Sequence, residues 1–240
     1  MNPLSGVFGE AWALYKAHWQ HFFTIAFLVF VVVAAAGILL GALLGWLGLL
    51  IGIFISLAGT FWLQGALIQA VADVRDGRAD LSVSETFGQV YPKLGTIIVT
   101  GILLGLAIAI GLFLLIAPGL YLMTIWIAVI PAIVLENRGI GESFGRSREL
   151  VRGYGWNGFG TIVLTVLILI GVGIVVGLIL SPLAEWLASL IQQIVANTIV
   201  TPFVVAVWTL VYYRLKGREE GTPADSSPEP EPRPGPEAPV

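Results

Sequence analysis

Long runs without a charged residue decide what this chain can fold into. Four such runs occupy residues 17–72, 94–135, 153–184 and 186–213. A transmembrane helix needs about 20 apolar residues, so each run is long enough for one crossing, and the first two are long enough for two. With 57% hydrophobic and 11% charged residues, the chain is predicted to be an all-α polytopic membrane protein.

Glycine and proline divide these runs at "GALLGWLG" (41–48), "APG" (117–119) and "SPLAE" (181–185). The predicted spans are 22–44, 48–73, 94–116, 119–136, 158–180 and 186–213. Residues 1–216 are therefore predicted to form a six-span transmembrane domain. Residues 217–240 contain seven prolines and mixed charge, a composition that cannot bury a core, and they are predicted to form a disordered cytoplasmic tail.

The cations all fall on one side of the predicted spans. They are Lys16, Arg75, Arg78, Lys93, Arg138, Arg146, Arg148, Arg152, Arg214, Lys216, Arg218 and Arg233. Loops rich in Lys and Arg stay in the cytoplasm. Both termini are therefore predicted to be cytoplasmic, which agrees with an even number of crossings.

An internal repeat organises the chain. The matches, 136 residues apart, are Phe8-Gly9 with Phe144-Gly145 and "GILLG" (37–41) with "GIVVG" (173–177). A weaker middle copy begins at "ETFG" (85–88), which matches "ESFG" (142–145). The repeat predicts three helical hairpins, each introduced by an amphipathic cytoplasmic helix.

Aromatic residues mark the first amphipathic helix. They are Phe8, Trp12, Tyr15, Trp19 and Phe22, spaced by three and four residues. Aromatic side chains favour the level of the lipid headgroups, so this helix is predicted to lie in the membrane interface. Phe8, Trp12 and Trp19 are the predicted anchoring contacts.

Charge is concentrated in "ENRGIGESFGRSRELVRG" (136–153), which holds four arginines and three glutamates. One interpretation is an interfacial helix that binds anionic lipid headgroups through Arg146, Arg148 and Arg152. The other is a docking surface for a cytoplasmic or membrane protein partner. A catalytic role is disfavoured, because these acids lie on a solvated helix beside arginines and nothing raises their pKa.

The stretch "PGLYLMTIWIAVIPAIVLENRGIGESFGRSRELVRGYGW" (118–156) resembles a bacterial membrane domain. That domain is fused to some glycerophosphoryl diester phosphodiesterases and also occurs in stand-alone integral membrane proteins. The matching features are Pro-Gly before a span, Trp126, Pro131, Val-Leu-Glu, Glu-Ser-Phe and Arg-Ser-Arg. The resemblance implies a six-span protein of the bacterial inner membrane. It implies no reaction, because the phosphodiesterase activity belongs to a separate barrel whose metal ligands are not in this sequence.

Little else in the sequence points to chemistry. The chain has no Cys, and its two histidines, His18 and His21, lack an evident third metal ligand. No catalytic residue, cofactor, metal or nucleic-acid partner is predicted, and no oligomeric state is indicated. Gln64 and Asn197 are polar residues within predicted spans. They are read either as interhelical hydrogen-bonding groups or as part of a path in a transporter or channel. The favoured function is a non-catalytic scaffold or accessory that presents its cytoplasmic helices to lipid or a partner.

Overall fold

The computed structural model describes residues 4–75 and 80–219, and this part of the chain is helical without a strand. The helices are α1 (Val7–Ala17), α2 (Trp19–Leu44), α3 (Trp46–Arg75), α4 (Val83–Val90), α5 (Leu94–Leu114), α6 (Ile116–Ile125), α7 (Val129–Glu136), α8 (Ile140–Val151), α9 (Gly155–Leu180), α10 (Glu185–Val195) and α11 (Thr201–Glu219). A 3-10 turn at Tyr91–Lys93 joins α4 to α5, and a π-helical turn at Ala196–Val200 joins α10 to α11.

Six segments of the described chain are long and apolar enough to cross a membrane. They are Trp19–Leu44, Trp46–Arg75, Val83–Leu114, Ile116–Glu136, Gly155–Leu180 and Glu185–Glu219. This confirms the predicted all-α, six-span fold. Helix α11 continues to Glu219, past the predicted boundary at residue 216. The rest of the predicted tail, from residue 220, and the cations Arg78 and Arg233 lie outside the described residues.

The first hairpin turns within the predicted stretch 41–48, whereas the second turns three residues before Pro118. The first hairpin turns at Gly45 alone, whose φ of 58° is readily adopted only by a residue without a Cβ. In the second hairpin the break comes at Leu115, which is extended, and not at "APG". Pro118 is instead the third residue of α6. A proline fits there because N–H groups in the first turn of a helix have no intrahelical partner.

The fourth span is interrupted at residues 126–128, a break that was not predicted. Pro131 has no N–H with which to close a helical bond to the carbonyl of Ile127. The Oγ of Ser147, a buried residue of α8, donates to the carbonyl of Ile125 at 2.8 Å and accepts from the N–H of Ala128 at 3.1 Å. One serine from a neighbouring helix therefore satisfies both sides of the break.

The internal repeat is visible in the helices themselves. A shift of 136 residues places α2 on α9 with both ends coincident. It also places the four buried positions of α2, Phe22, Ile25, Ala26 and Val29, on the buried positions Gly158, Thr161, Ile162 and Thr165 of α9. We therefore divide the chain into three units, α1–α3, α4–α7 and α8–α11, each with a short amphipathic helix followed by two spans. This confirms the predicted three hairpins.

The three units pack in a ring. Each short helix contacts the second span of the preceding unit: α4 packs on α3, α8 packs on α7, and α1 closes the ring on α11. Two of these contacts use equivalent edge-to-face aromatic pairs, Trp62 with Phe87 and Trp126 with Phe144. Most of the buried apolar residues lie where the short helices meet the ends of α3, α7 and α11. The fold is thus tightest at the end that carries the cations.

Candidate functional site

A buried carboxylate lies at the centre of the charged end. The Glu136 side chain, at the end of α7, is 9% exposed. It accepts hydrogen bonds from Arg146 Nε at 2.9 Å, from Tyr212 Oη at 2.7 Å and from Arg138 Nε at 3.2 Å. The Lys216 ammonium is 3.9 Å away. Glu136 therefore holds α7, α8 and α11 together.

Arg146 forms ion pairs with carboxylates of its own chain. Its side chain is 14% exposed, and its Nη2 is 2.7 Å from Glu219, at the end of α11. Hydrogen bonds to Glu219 and then to Glu136 raise the pKa of Arg146, so the guanidinium stays charged. Arg146 is one of the three arginines predicted to contact lipid headgroups, and in the structure its guanidinium pairs with Glu136 and Glu219. The lipid-contact prediction accordingly rests on Arg148 and Arg152.

Arg148 and Arg152 are exposed and line one groove. The groove has a volume of about 610 Å³ and lies between α8, the start of α9 and the α6 residues Tyr121 and Ile125. Glu149 contributes the one carboxylate among the described lining residues. A cationic rim beside an apolar wall is the arrangement that an amphiphile with a negatively charged head requires.

The repeat provides an internal comparison for this groove. The positions of Arg148 and Arg152 correspond to Trp12 and Lys16 in the first unit, at a shift of 136 residues. They correspond to Tyr91 and Gly95 in the second unit, at a shift of 57 residues. Trp12, Tyr91 and Arg148 are all exposed. Because two units adopt the same fold without a pair of arginines, the fold does not require the pair.

The predicted aromatic stripe of α1 divides in the structure. Trp12 and Trp19 are each 51% exposed, as an interfacial anchor requires. Tyr15 and Phe22 are buried, and Phe8 is half-buried against the core. The aromatic face of α1 packs against α11. Phe203, near the start of α11, lies edge-on to the rings of both Trp12 and Tyr15.

The two polar residues predicted within spans line separate cavities. Gln64 lines a cavity of about 180 Å³ where all three units meet. Asn197 lines a cavity of about 300 Å³ between α2, α3 and α10, and its amide Nδ2 donates to the Gln193 carbonyl at 2.8 Å. The structure therefore does not bring Gln64 and Asn197 together in one cavity.

Several residues that carry the family resemblance contact one another or share one neighbourhood. Trp126 packs on Phe144, Ser147 closes the break beside Trp126, and Glu136 binds Arg146. Tyr212 and Glu219 complete the network around Glu136 and Arg146, and neither was predicted from the sequence. Both lie more than 70 residues from their partners, and no local spacing signals such a contact.

The histidines lie at the junction of α1 and α2. His18 ends α1, and its backbone N–H donates to the Leu14 carbonyl. His21, the third residue of α2, is half-buried, and its Nε2 makes no hydrogen bond within the described chain. Within residues 4–75 and 80–219, no group of three or more His, Cys, Asp and Glu side chains converges in a way that could hold a metal ion.

Outside comparisons assign no role to the site. Comparison of the chain with protein-family models, curated proteins and solved structures finds no match. We therefore base the functional interpretation on the residues that differ between equivalent positions of the three units. This contrast singles out the groove lined by Arg148 and Arg152.

Proposed function

We propose that the protein is a non-catalytic membrane scaffold whose third unit binds an anionic phospholipid headgroup between Arg148 and Arg152. The observation that carries the proposal is the exposed arginine pair, which stands where the other units have Trp12 with Lys16 and Tyr91 with Gly95. Anchored in this way, the protein presents its short helices to lipid or to a protein partner.

The chemistry of the groove supports a phosphate ligand. A guanidinium donates several N–H groups in a planar fork that matches two phosphate oxygens. Arg146 cannot contribute in the same way, because its donors already face Glu136 and Glu219. Tyr121 and Ile125 on the α6 wall offer an apolar surface to the glycerol and acyl part of a lipid.

Replacing Arg148 and Arg152 together with Gln should weaken anionic lipid binding about 30-fold. Each basic residue near an anionic surface contributes about 1 kcal/mol, and about 1.4 kcal/mol corresponds to a factor of ten. The measurement is retention of phosphatidylglycerol on the purified protein by native mass spectrometry. Retention by the wild type should also fall as salt rises, because exposed charges are screened.

A matched pair of single variants controls for net charge. Arg152→Gln and Lys16→Gln each remove one positive charge at equivalent positions of the third and first units. We expect Arg152→Gln to lose lipid and Lys16→Gln to retain it. Equal retention by the wild type and the double variant would remove the lipid role and leave docking of a protein partner as the reason for the pair.

We also propose that the protein lies in a bacterial inner membrane with both termini in the cytoplasm. The one-sided cations support this orientation, and the resemblance to the phosphodiesterase-linked membrane domain supports a bacterial inner membrane as its location.

Because the chain has no Cys, single cysteines can report its topology. Ser181→Cys, between α9 and α10, should react with a membrane-impermeant maleimide on whole cells. Ser84→Cys, in α4, should react only after permeabilisation, and the opposite pattern would invert the topology.

A further inference from the structure

A second groove adjoins the groove of Arg148 and Arg152. Its volume is about 200 Å³, and its lining comes from the end of α8, the connection to α9 and the end of α11. Arg152 lines both grooves. Each groove also has an exposed arginine of its own, which is Arg148 in the first groove and Arg218 in the second. Three arginines therefore line two neighbouring grooves.

The position of Arg152 between the grooves follows from the local backbone. Arg152 comes directly after the last residue of α8, and α9 begins at Gly155. Gly153, between them, has a φ of 85°, a value readily adopted only by glycine. Arg152 thus lies at the corner between two helices, where its exposed side chain lines the groove on each side of that corner.

An aromatic ring positions Arg218 at the second groove. The Arg218 guanidinium lies over the ring of Tyr154, 4.0 Å from the ring centroid. This contact exists because α11 continues to Glu219, past the predicted boundary at residue 216. A guanidinium that contacts a ring through its face still has N–H groups at its edge, and these can bind oxygen atoms. Arg218 is therefore held in place without losing its charge to a carboxylate.

The charge of the two grooves is not balanced within the described chain. None of the three arginines that line the grooves forms an ion pair with a described residue. The two carboxylates in the lining, those of Glu149 and Glu219, lie instead 3.8 Å and 2.7 Å from Arg146. The grooves thus present three exposed positive charges that an outside anion can neutralise.

We propose that the two grooves together bind a phospholipid whose headgroup carries two phosphates joined by glycerol, as in diphosphatidylglycerol. One phosphate lies between Arg148 and Arg152, and the other lies between Arg152 and Arg218. This binding mode rests on the proposed function, because its first phosphate occupies the groove described there. A lipid fits better than a soluble anion, because the grooves lie at the ends of two membrane-spanning segments, and basic pockets at this level bind such headgroups.

A comparison of one-phosphate and two-phosphate lipids tests the second groove. The purified full-length protein is titrated with diphosphatidylglycerol and with phosphatidylglycerol, and native mass spectrometry measures the retention of each. We expect Arg218→Gln to weaken binding of diphosphatidylglycerol about fivefold, the equivalent of about 1 kcal/mol for one basic residue. Binding of phosphatidylglycerol should stay nearly unchanged, because its single phosphate occupies the first groove.

Matched variants separate this site from the general attraction of a doubly charged lipid. Lys16 is likewise exposed and lies over an aromatic ring, that of Trp12, so Lys16→Gln removes one comparable charge and should retain both lipids. Tyr154→Leu removes the ring below Arg218 but no charge, and it should weaken binding of diphosphatidylglycerol selectively. Tyr154→Phe keeps the ring and should bind both lipids as the wild type does.

The two levels of the account fail in different ways. Equal losses of both lipids in Arg218→Gln, or equal retention of diphosphatidylglycerol by Arg218→Gln and Lys16→Gln, would overturn the second phosphate site and leave the first intact. Unchanged retention of phosphatidylglycerol by the Arg148→Gln/Arg152→Gln variant would overturn the first site, and with it the binding of two phosphates.

Discussion

Replacing Arg146 with Gln should lower the free energy of unfolding by about 3 kcal/mol, because it leaves the buried Glu136 carboxylate without its closest charged partner. Arg138, Lys216 and Tyr212 remain near Glu136, so the loss should lie near the lower end of the range for broken buried ion pairs. Arg148→Gln, two residues away and exposed, should change the stability by less than about 0.5 kcal/mol. Unfolding in mixed micelles by titration with SDS, followed by circular dichroism, measures both.

A double-mutant cycle shows whether the effect runs through Glu136. With Glu136→Gln already present, adding Arg146→Gln should cost much less than it does in the wild type, because the two side chains interact directly. Glu142→Gln in place of Glu136→Gln is the control. It removes another carboxylate near Arg146, but this one is exposed and accepts from the Gly139 N–H instead of pairing with Arg146. Equal stabilities of Arg146→Gln and Arg148→Gln would contradict the internal position of Arg146.

Replacing Gly48 with Ala should destabilise the first hairpin by about 1–3 kcal/mol, as overpacking of a tight contact does. A Cβ at Gly48 would lie 1.8 Å from the carbonyl oxygen of Leu40 on the facing helix. Backbone atoms cannot rotate away as a side chain can, so α2 and α3 would have to separate. Small residues allow such close approach between helices in membranes.

Gly173→Ala in α9 is the matched control for this variant. Nothing lies within 4 Å of a Cβ at Gly173, and alanine is favoured over glycine in a helix by about 1 kcal/mol. We therefore expect Gly173→Ala to leave stability unchanged or to raise it slightly. The SDS titration described for Arg146 compares the two, and a Gly48→Ala protein as stable as Gly173→Ala would show that α2 and α3 do not pack this closely.

The features that could be predicted from the sequence are those determined by residues close together along the chain. The spans follow from the length of apolar runs, and the repeat follows from matching motifs that recur at one spacing. The capping box of α4 is a local feature of the same kind, because Ser82 and Glu85 interact within one turn.

The features that could not be predicted depend on distant partners. The break at residues 126–128 is stabilised by Ser147 from another helix, and Pro131 by itself does not indicate this distant partner. Arg146 and Arg148 look equivalent in the sequence, and they differ because Glu219, 73 residues after Arg146, reaches the former.

Photo-crosslinking from within the groove would locate the lipid. Tyr121, on the apolar wall below Arg148 and Arg152, is 57% exposed and can be replaced with p-benzoylphenylalanine. Tyr91, 67% exposed at the position equivalent to Arg148 in the second unit, is the control site. In vesicles of equal phosphatidylglycerol and phosphatidylcholine, we predict that the Tyr121 probe reacts mainly with phosphatidylglycerol and loses this preference in the Arg148→Gln/Arg152→Gln background. The same lipid ratio at both sites, unaffected by the arginine substitutions, would contradict an anionic headgroup site in this groove.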